Sequence, residues 1–269
     1  MLRKDVNNLF DHWPGIKETF KGKDVFLFLD YDGTLAPIAE APEKAFIPPT
    51  MKTLLEKLIK IPKCKLVIIS GRALMDVKKM VGIKNIVYVG NHGLEIEGPG
   101  ISFRSLITPR VKTAFKCIKS EINKELLFFK GSFLEDKDLS FSVHYRLVAE
   151  DKVSLLKNTL MQVTNPFSRD HEVRVGYGKE VFEIKPPIDW DKGKAVSWLL
   201  TQQKFVSDKE KIFSICIGDD VTDEDAFSVV KDNGLAIAVG NPKLSHAQYY
   251  LRDQDEVRKF LEQIYELFV

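Results

Sequence analysis

The stretch Val25-Phe26-Leu27-Phe28-Leu29-Asp30-Tyr31-Asp32-Gly33-Thr34-Leu35 decides how the rest of the chain is read. Its apolar run shows no alternation, as expected of a strand covered on both faces in a parallel sheet. In open α/β sheets, ligands bind just beyond the carboxyl ends of such strands. Two carboxylates stand at that point. Side chains two apart on an extended chain point the same way, so Asp30 and Asp32 can face one crevice, while Gly33 lets the backbone turn sharply away.

Outward from this strand the same pattern recurs. Short apolar runs at Lys65–Ile69, Ile86–Val89, Phe213–Ile217 and Leu235–Val239 alternate with helical patterns at Pro49–Ile59, Ala73–Val81, Lys192–Gln202 and Thr222–Lys231. That alternation predicts an α/β fold with a doubly wound, Rossmann-like parallel sheet. Thr222 and Asp225 have the spacing of a capping box. The middle of the chain differs. A helical stretch at Arg110–Lys124 leads to Leu139–Tyr145, whose period of two predicts a half-exposed antiparallel strand. A helix at Val153–Val163 and strands at Glu172–Val175 and Glu180–Ile184 follow, around Gly176 and Gly178, which are expected to bend the chain so that Lys179 points inward. The expected organisation is a core formed by residues 1–107 and 187–269, with a smaller α+β domain, 108–186, inserted before Pro186-Pro187 is passed. Phe128-Phe129 and the C-terminal Phe260–Phe268 pattern read as core.

Composition sets bounds. Among 269 residues, 40 Lys and Arg stand against 38 Asp and Glu, a net charge of +2 that gives no general pull toward nucleic acid or an acidic membrane. Cys64, Cys117 and Cys216 lack metal-ligand spacing and are expected as core thiols in a reducing compartment. No apolar stretch approaches the ~20 residues of a membrane span, and the start of the chain lacks a signal-peptide core. A cytoplasmic protein is expected.

Three further strand ends carry polar motifs. Leu66–Ile69 runs into Ser70-Gly71-Arg72, which offers a hydroxyl and backbone amides suited to phosphate oxygens. Phe213–Ile217 runs into Gly218-Asp219-Asp220-Val221-Thr222-Asp223, an acidic turn that repels itself unless a hard cation is present. Asp191-Lys192-Gly193 opens a helix with a cation able to neutralise an acid or a phosphate.

These motifs, in this order, resemble those of the haloacid dehalogenase-like phosphohydrolases. More narrowly the chain is similar to the trehalose-6-phosphate phosphatases, through Leu29–Ile38, Ile69–Arg72, Gly90–Glu95, Glu135-Asp136-Lys137 with His144-Tyr145-Arg146, Gly178–Ile184, Asp191–Gly193 and Gly218–Phe227. The resemblance implies a haloacid dehalogenase-type core, a cap domain closing over a sugar, and hydrolysis of trehalose 6-phosphate. It implies Asp30 as nucleophile, Asp32 as acid and base, and Ser70 and Lys192 on the phosphoryl oxygens. It implies Mg²⁺ held by the carboxylates of Asp30 and Asp219 and the backbone carbonyl of Asp32. Asp220 would lie at or beside the ligand set, and Asp223 near it. Arg72, Asn91, His92, Glu135, Lys137, Lys179 and Glu183 would bind the sugar, with Arg146 a weaker candidate and Tyr31 only a spacer. A trehalose-phosphate synthase is the implied functional partner, and a monomer is expected. Two alternatives stay open: another sugar phosphate, such as sucrose 6-phosphate or mannosyl-3-phosphoglycerate, and an inactive sugar-phosphate sensor.

Overall fold

In the computed structural model, which describes residues 6–202 and 211–269, the opening apolar run is strand β2 (Asp24–Asp30). A two-residue strand β1 (Asn7–Asn8) precedes it, and β3 (Cys64–Ile69), β4 (Val87–Gly90), β5 (Glu95–Gly98), β6 (Ile101–Arg104), β11 (Ile212–Gly218), β12 (Gly234–Val239) and β13 (Tyr249–Leu251) complete one nine-stranded sheet. Its order is β1-β13-β12-β11-β2-β3-β4-β5-β6. Neighbours are parallel from β1 to β4, and β5 and β6 add an antiparallel edge. Among the described residues, the α-helices of this unit are α1 (Trp13–Ile16), α2 (Pro49–Leu58), α3 (Leu74–Val81), α6 (Lys192–Thr201), α7 (Asp223–Val230) and α8 (Gln254–Phe268).

The missing alternation of β2 has a direct cause. Val25, Leu27 and Leu29 pack with α2, α3 and α8, whereas Phe26 and Phe28 pack with α6 and α7 on the other face. Both faces are dry, so every position is apolar. Because β2, β3, β4 and β11 run in parallel, Asp30, Ser70, Asn91 and Asp219 all emerge at one edge of the sheet.

Residues Ser105–Asp189 form the second compact unit, and Met1–Arg104 with Trp190–Val269 form the first. The divisions fall at 104/105 and 189/190 rather than 107/108 and 186/187. On the first side β6 keeps its residues in the core sheet up to Arg104, and on the second the Arg174 guanidinium donates to Ile188 O at 3.2 Å, holding the exit segment to the second unit. The entry and exit segments lie side by side: Leu106, Ile107, Thr108, Pro186, Pro187 and Ile188 line one cavity.

In the second unit, α4 (Pro109–Glu125) and α5 (Glu150–Arg169) cover a four-stranded antiparallel sheet of β7 (Phe133–Asp136), β8 (Phe141–His144), β9 (Arg174–Gly178) and β10 (Val181–Lys185), ordered β7-β8-β10-β9. Thr108 caps α4 by accepting from the Val111 amide at 3.3 Å. Phe141, Val143, Phe182 and Ile184 face the helices.

Several expectations need correction. Strand β8 is not half-exposed: Ser140 and Ser142 are buried, Ser142 standing between Glu135 and Glu183 on the flanking strands. Helix α5 continues past Val163 through Pro166, whose carbonyl accepts from the Asp170 amide. Gly176 and Gly178 lie within β9, and the left-handed residue of the hairpin is Glu180 (φ 62°), so Lys179 stands at an exposed tip instead of pointing inward. Thr222 is itself helical and makes no capping bond. Cys117 and Phe128 are exposed, while Cys64 is buried and its thiol is pushed up to about 12 by desolvation.

Candidate active site

Asp30 ends β2 buried among groups of both signs. Lys192, on the first turn of α6, donates from Nζ to Asp30 Oδ1 and to Asp223 Oδ1, each at 2.7 Å, and is 3% exposed. Its placement follows from the cap before it, where Asp191 accepts from the Lys194 amide at 2.7 Å and fixes the start of the helix. Asp223 opens α7, where a carboxylate is favoured by the helix dipole. Its Oδ2 accepts from the amides of Asp219 and Asp220, both at 3.1 Å, which shapes the acidic turn. A side chain on Gly218 would collide with the Asp223 carboxyl, so this close approach requires glycine.

Among the described residues, Asp30, Asp219 and Asp223 form a metal-competent group whose ligand oxygens lie within 4.8 Å of one another. Burial pushes the Asp30 carboxyl well above its ordinary range, Lys192 pulls it back, and Asp223 and Asp219 push it up again. Burial alone would lower Lys192, yet Asp223 and Asp30 outweigh that and hold the ammonium protonated. With all three carboxylates ionised, the single ammonium leaves two excess negative charges. An all-oxygen donor set with that excess fits a hard divalent cation. Asp220, expected among the ligands, is outside the group; its Oδ1 accepts from the Val221 amide at 2.7 Å.

Asp32 is held differently. Arg72 donates from Nε to Asp32 Oδ2 at 2.7 Å and from Nη2 to Oδ1 at 2.6 Å, a bidentate pair that fixes the carboxylate's plane. The guanidinium carbon lies 5.5 Å from the centre of the Tyr31 ring, and the Tyr31 hydroxyl donates to Ala45 O at 2.7 Å. Tyr31 is therefore more than a spacer: it is a fully buried platform under Arg72. Beside it, the Ser70 hydroxyl accepts from the Arg72 amide at 3.1 Å. Asn91 and His92 have φ of 50° and 55°, uncommon for residues with side chains. Their amides donate to Arg72 O and Ser70 O, the Asn91 carboxamide donates to Glu95 at 2.6 Å, and the Trp190 indole holds Gly93 O at 2.7 Å.

The chain as a whole matches known proteins. A family model described as trehalose-phosphatase matches residues 28–255. The chain belongs to the trehalose-phosphatase family. It is similar to a probable trehalose-phosphate phosphatase I of Arabidopsis thaliana, 36% identical over 266 residues that cover 93% of this chain and 70% of that protein. Among solved structures, the C-terminal domain of a C. albicans trehalose-6-phosphate phosphatase matches with a TM-score of 0.81 at 25% identity, over 98% of this chain and 99% of that one. A trehalose-6-phosphate phosphatase related protein matches at 0.73 and 26% identity, over 90% and 97%. The fold is the haloacid dehalogenase type, and the chain is a phosphoric monoester hydrolase.

The second unit of this trehalose-phosphatase carries its own polar row. Glu135 on β7, Ser142 on β8 and Glu183 on β10 are cross-strand partners. Lys137 Nζ lies 3.6 Å from Glu135, the His144 imidazole 2.7 Å from the same carboxylate, and Lys185 Nζ 2.6 Å from Glu183. Glu183 and Lys137 are buried. Lys179 is on the hairpin tip, outside this row, where Arg146 bonds to Glu180 at 2.6 Å and to Lys179 O at 3.4 Å. Sequence reasoning overlooked Lys185 and Trp190. Lys185 was findable, being two residues beyond Glu183 on the same strand face; nothing local marks Trp190, whose partner Gly93 is distant in sequence.

Proposed function

We propose that this enzyme hydrolyses trehalose 6-phosphate to trehalose and inorganic phosphate, with Mg²⁺, through an aspartyl-phosphate on Asp30. The observation that carries the proposal is the buried Asp30 carboxylate, paired with Lys192 and grouped with Asp219 and Asp223 at the end of β2. In the first step an Asp30 oxygen bonds to phosphorus, the bond from phosphorus to the sugar oxygen breaks, and Asp32 gives that oxygen its proton. In the second, water attacks the same phosphorus, its proton passes to Asp32, and phosphate leaves with Asp30 regenerated. Ser70 and Lys192 hold the phosphoryl oxygens. Asp30, Asp219 and the Asp32 carbonyl hold the cation, with Asp223 beside them rather than Asp220. The bound cation neutralises charge on the transferring phosphoryl group.

Arg72 has two tasks in this reading. It orients the ionised Asp32 carboxylate that takes the water's proton in the second step, a pairing the protonated acid of the first step gives up, and its stack on Tyr31 places a cation beside Asp32. The strained segment Asn91-His92 serves the sugar. Residues 105–189 act as the cap that selects the substrate, through Glu135, Lys137 and Glu183, because a disaccharide offers hydroxyls that need directional charged partners. Lys179 is a rim contact in this scheme. The enzyme works as a cytoplasmic monomer on substrate supplied by a trehalose-phosphate synthase; buried Cys64 and Cys216 suit a reducing compartment, and among the described residues no helix is long and apolar enough to cross a membrane.

The test is phosphate release from a panel of sugar phosphates with and without Mg²⁺. Trehalose 6-phosphate should be the preferred substrate and activity should vanish on chelation. Equal or faster turnover of sucrose 6-phosphate or mannosyl-3-phosphoglycerate would overturn the assignment of substrate, and no turnover at all would favour a sensor.

A further inference from the structure

We propose that Gln254 is a positioning residue of the cation site, which rests on reading Asp30, Asp219 and Asp223 as that site. Gln254 is the first residue of α8, far in sequence from every catalytic motif, yet its side-chain amide donates to the carbonyl of Gly33. Gly33 has φ of 82°, and a side chain there would fall inside the Asp219 carboxyl group. Gly33 is thus held on three sides. Its amide donates to Ala36 O at 2.7 Å, its carbonyl accepts from Gln254, and its α-carbon rests against Asp219. The spacing between the turn after Asp30 and the turn carrying Asp219 depends on where this peptide sits.

The donor itself is anchored. Asp253 caps α8 by accepting from the Glu256 amide at 3.0 Å, and the Glu256 carboxylate accepts in return from the Arg252 amide at 2.7 Å. Glu256 is 3% exposed and also accepts from Asn8 at 3.2 Å. Val257, Phe260, Leu261 and Ile264 bury the helix in the main core cluster. The first turn of α8 therefore belongs to the buried core, and Gln254 ties that turn to the loop packed against Asp219.

The measurement is calorimetric titration of Mg²⁺ alone into the purified protein and into Gln254→Ala and Gln254→Met, with thermal melting of each without metal. Loss of the donor should weaken Mg²⁺ binding about tenfold, as removal of groups supporting metal ligands commonly does. The melting temperature should stay within a few degrees, because α8 keeps its cap and its apolar face. Should Gln254→Ala fail to fold, Gln254→Met, which preserves length and bulk, carries the comparison. Wild-type affinity in these variants overturns the role of Gln254, as does a fall in melting temperature with affinity intact. No Mg²⁺ binding by the unaltered protein would instead remove the cation reading on which the role depends.

Discussion

The catalytic edge of the core and the polar row of the second unit gather charged residues in opposite ways. In the core, Asp30, Ser70, Lys192, Asp219 and Asp223 stand at the ends of strands or on the first turns of helices, each aimed by the local turn that follows or precedes it. In the second unit, Glu135, Ser142 and Glu183 sit within antiparallel strands, and cross-strand register alone brings them together. In the proposed mechanism the groups that act at phosphorus need fixed positions near one atom, which rigid strand ends supply, and the groups proposed to select the sugar need a surface, which a sheet face supplies. A one-residue slip of any one of these strands would turn its member of the row to the other face, whereas the core groups are placed by separate local turns.

If the reaction belongs to the core, the largest effect comes from Asp30. Asp30→Asn should lower phosphate release from every ester by at least about 10⁴-fold, as loss of a nucleophile does elsewhere. Substantial residual turnover would place the nucleophile at another group. Asp32→Asn should cost about 10² to 10⁴ in rate on trehalose 6-phosphate. The cost should be far smaller on p-nitrophenyl phosphate, whose leaving group needs no proton, and equal losses would remove Asp32 from the acid and base role. Next come the residues proposed to select the substrate. Glu183→Ala or Glu135→Ala should lower kcat/KM for trehalose 6-phosphate roughly 10- to 100-fold, the range expected when a hydrogen bond to a charged group is lost. Turnover of p-nitrophenyl phosphate should stay within about a factor of two, since such a small ester has no use for those bonds. If both substrates suffered alike, the division of labour between the units would not hold.

The smallest effect concerns the frame beneath the core site. The Tyr88 hydroxyl on β4 donates to Ile83 O at 2.7 Å, and burial pushes the phenol from 10.0 to about 12. A value raised in the folded state means that the stability it contributes is complete below pH 10.0 and is lost as pH climbs toward about 12. Tyr88→Phe should cost about 1 kcal/mol at neutral pH, through the lost hydrogen bond. It should also flatten the alkaline fall of the melting temperature between those limits. Identical alkaline curves would mean that Tyr88 is not the titrating group.

The contrast between the units also explains what the sequence made legible. Core motifs are contiguous: Asp30 to Thr34, Ser70 to Arg72 and Gly218 to Asp223 each declare a strand end and a turn within a few residues, so their convergence follows from the parallel sheet. Asp223 was visible in its motif, but its bond to Lys192 and its grouping with Asp30 and Asp219 are tertiary facts. The edge hairpin of β5 and β6 went unrecognised because strands this short carry little periodicity. In the second unit, Glu135-Asp136-Lys137 looks like a solvated turn until β7 is paired with β8. Gly176 and Gly178 misled because glycine suggests turns, whereas the hairpin bends at Lys179-Glu180, with Glu180 taking the left-handed backbone. Gln254 bore no local sign at all, since its partner lies at the other end of the chain.

The side-by-side entry and exit of residues 105–189 make the insert a cassette. Its two ends line one cavity and are tied within the insert by Arg110 to Glu172 and Arg174 to Ile188, while β6 closes before it and α6 opens after it. Recombination could therefore exchange the entire insert without cutting a ladder of the core sheet. If residues 105–189 select the substrate as proposed, a lineage built on this plan can acquire a new ester in one genetic event, keeping an inherited reaction centre and replacing the reader attached to it.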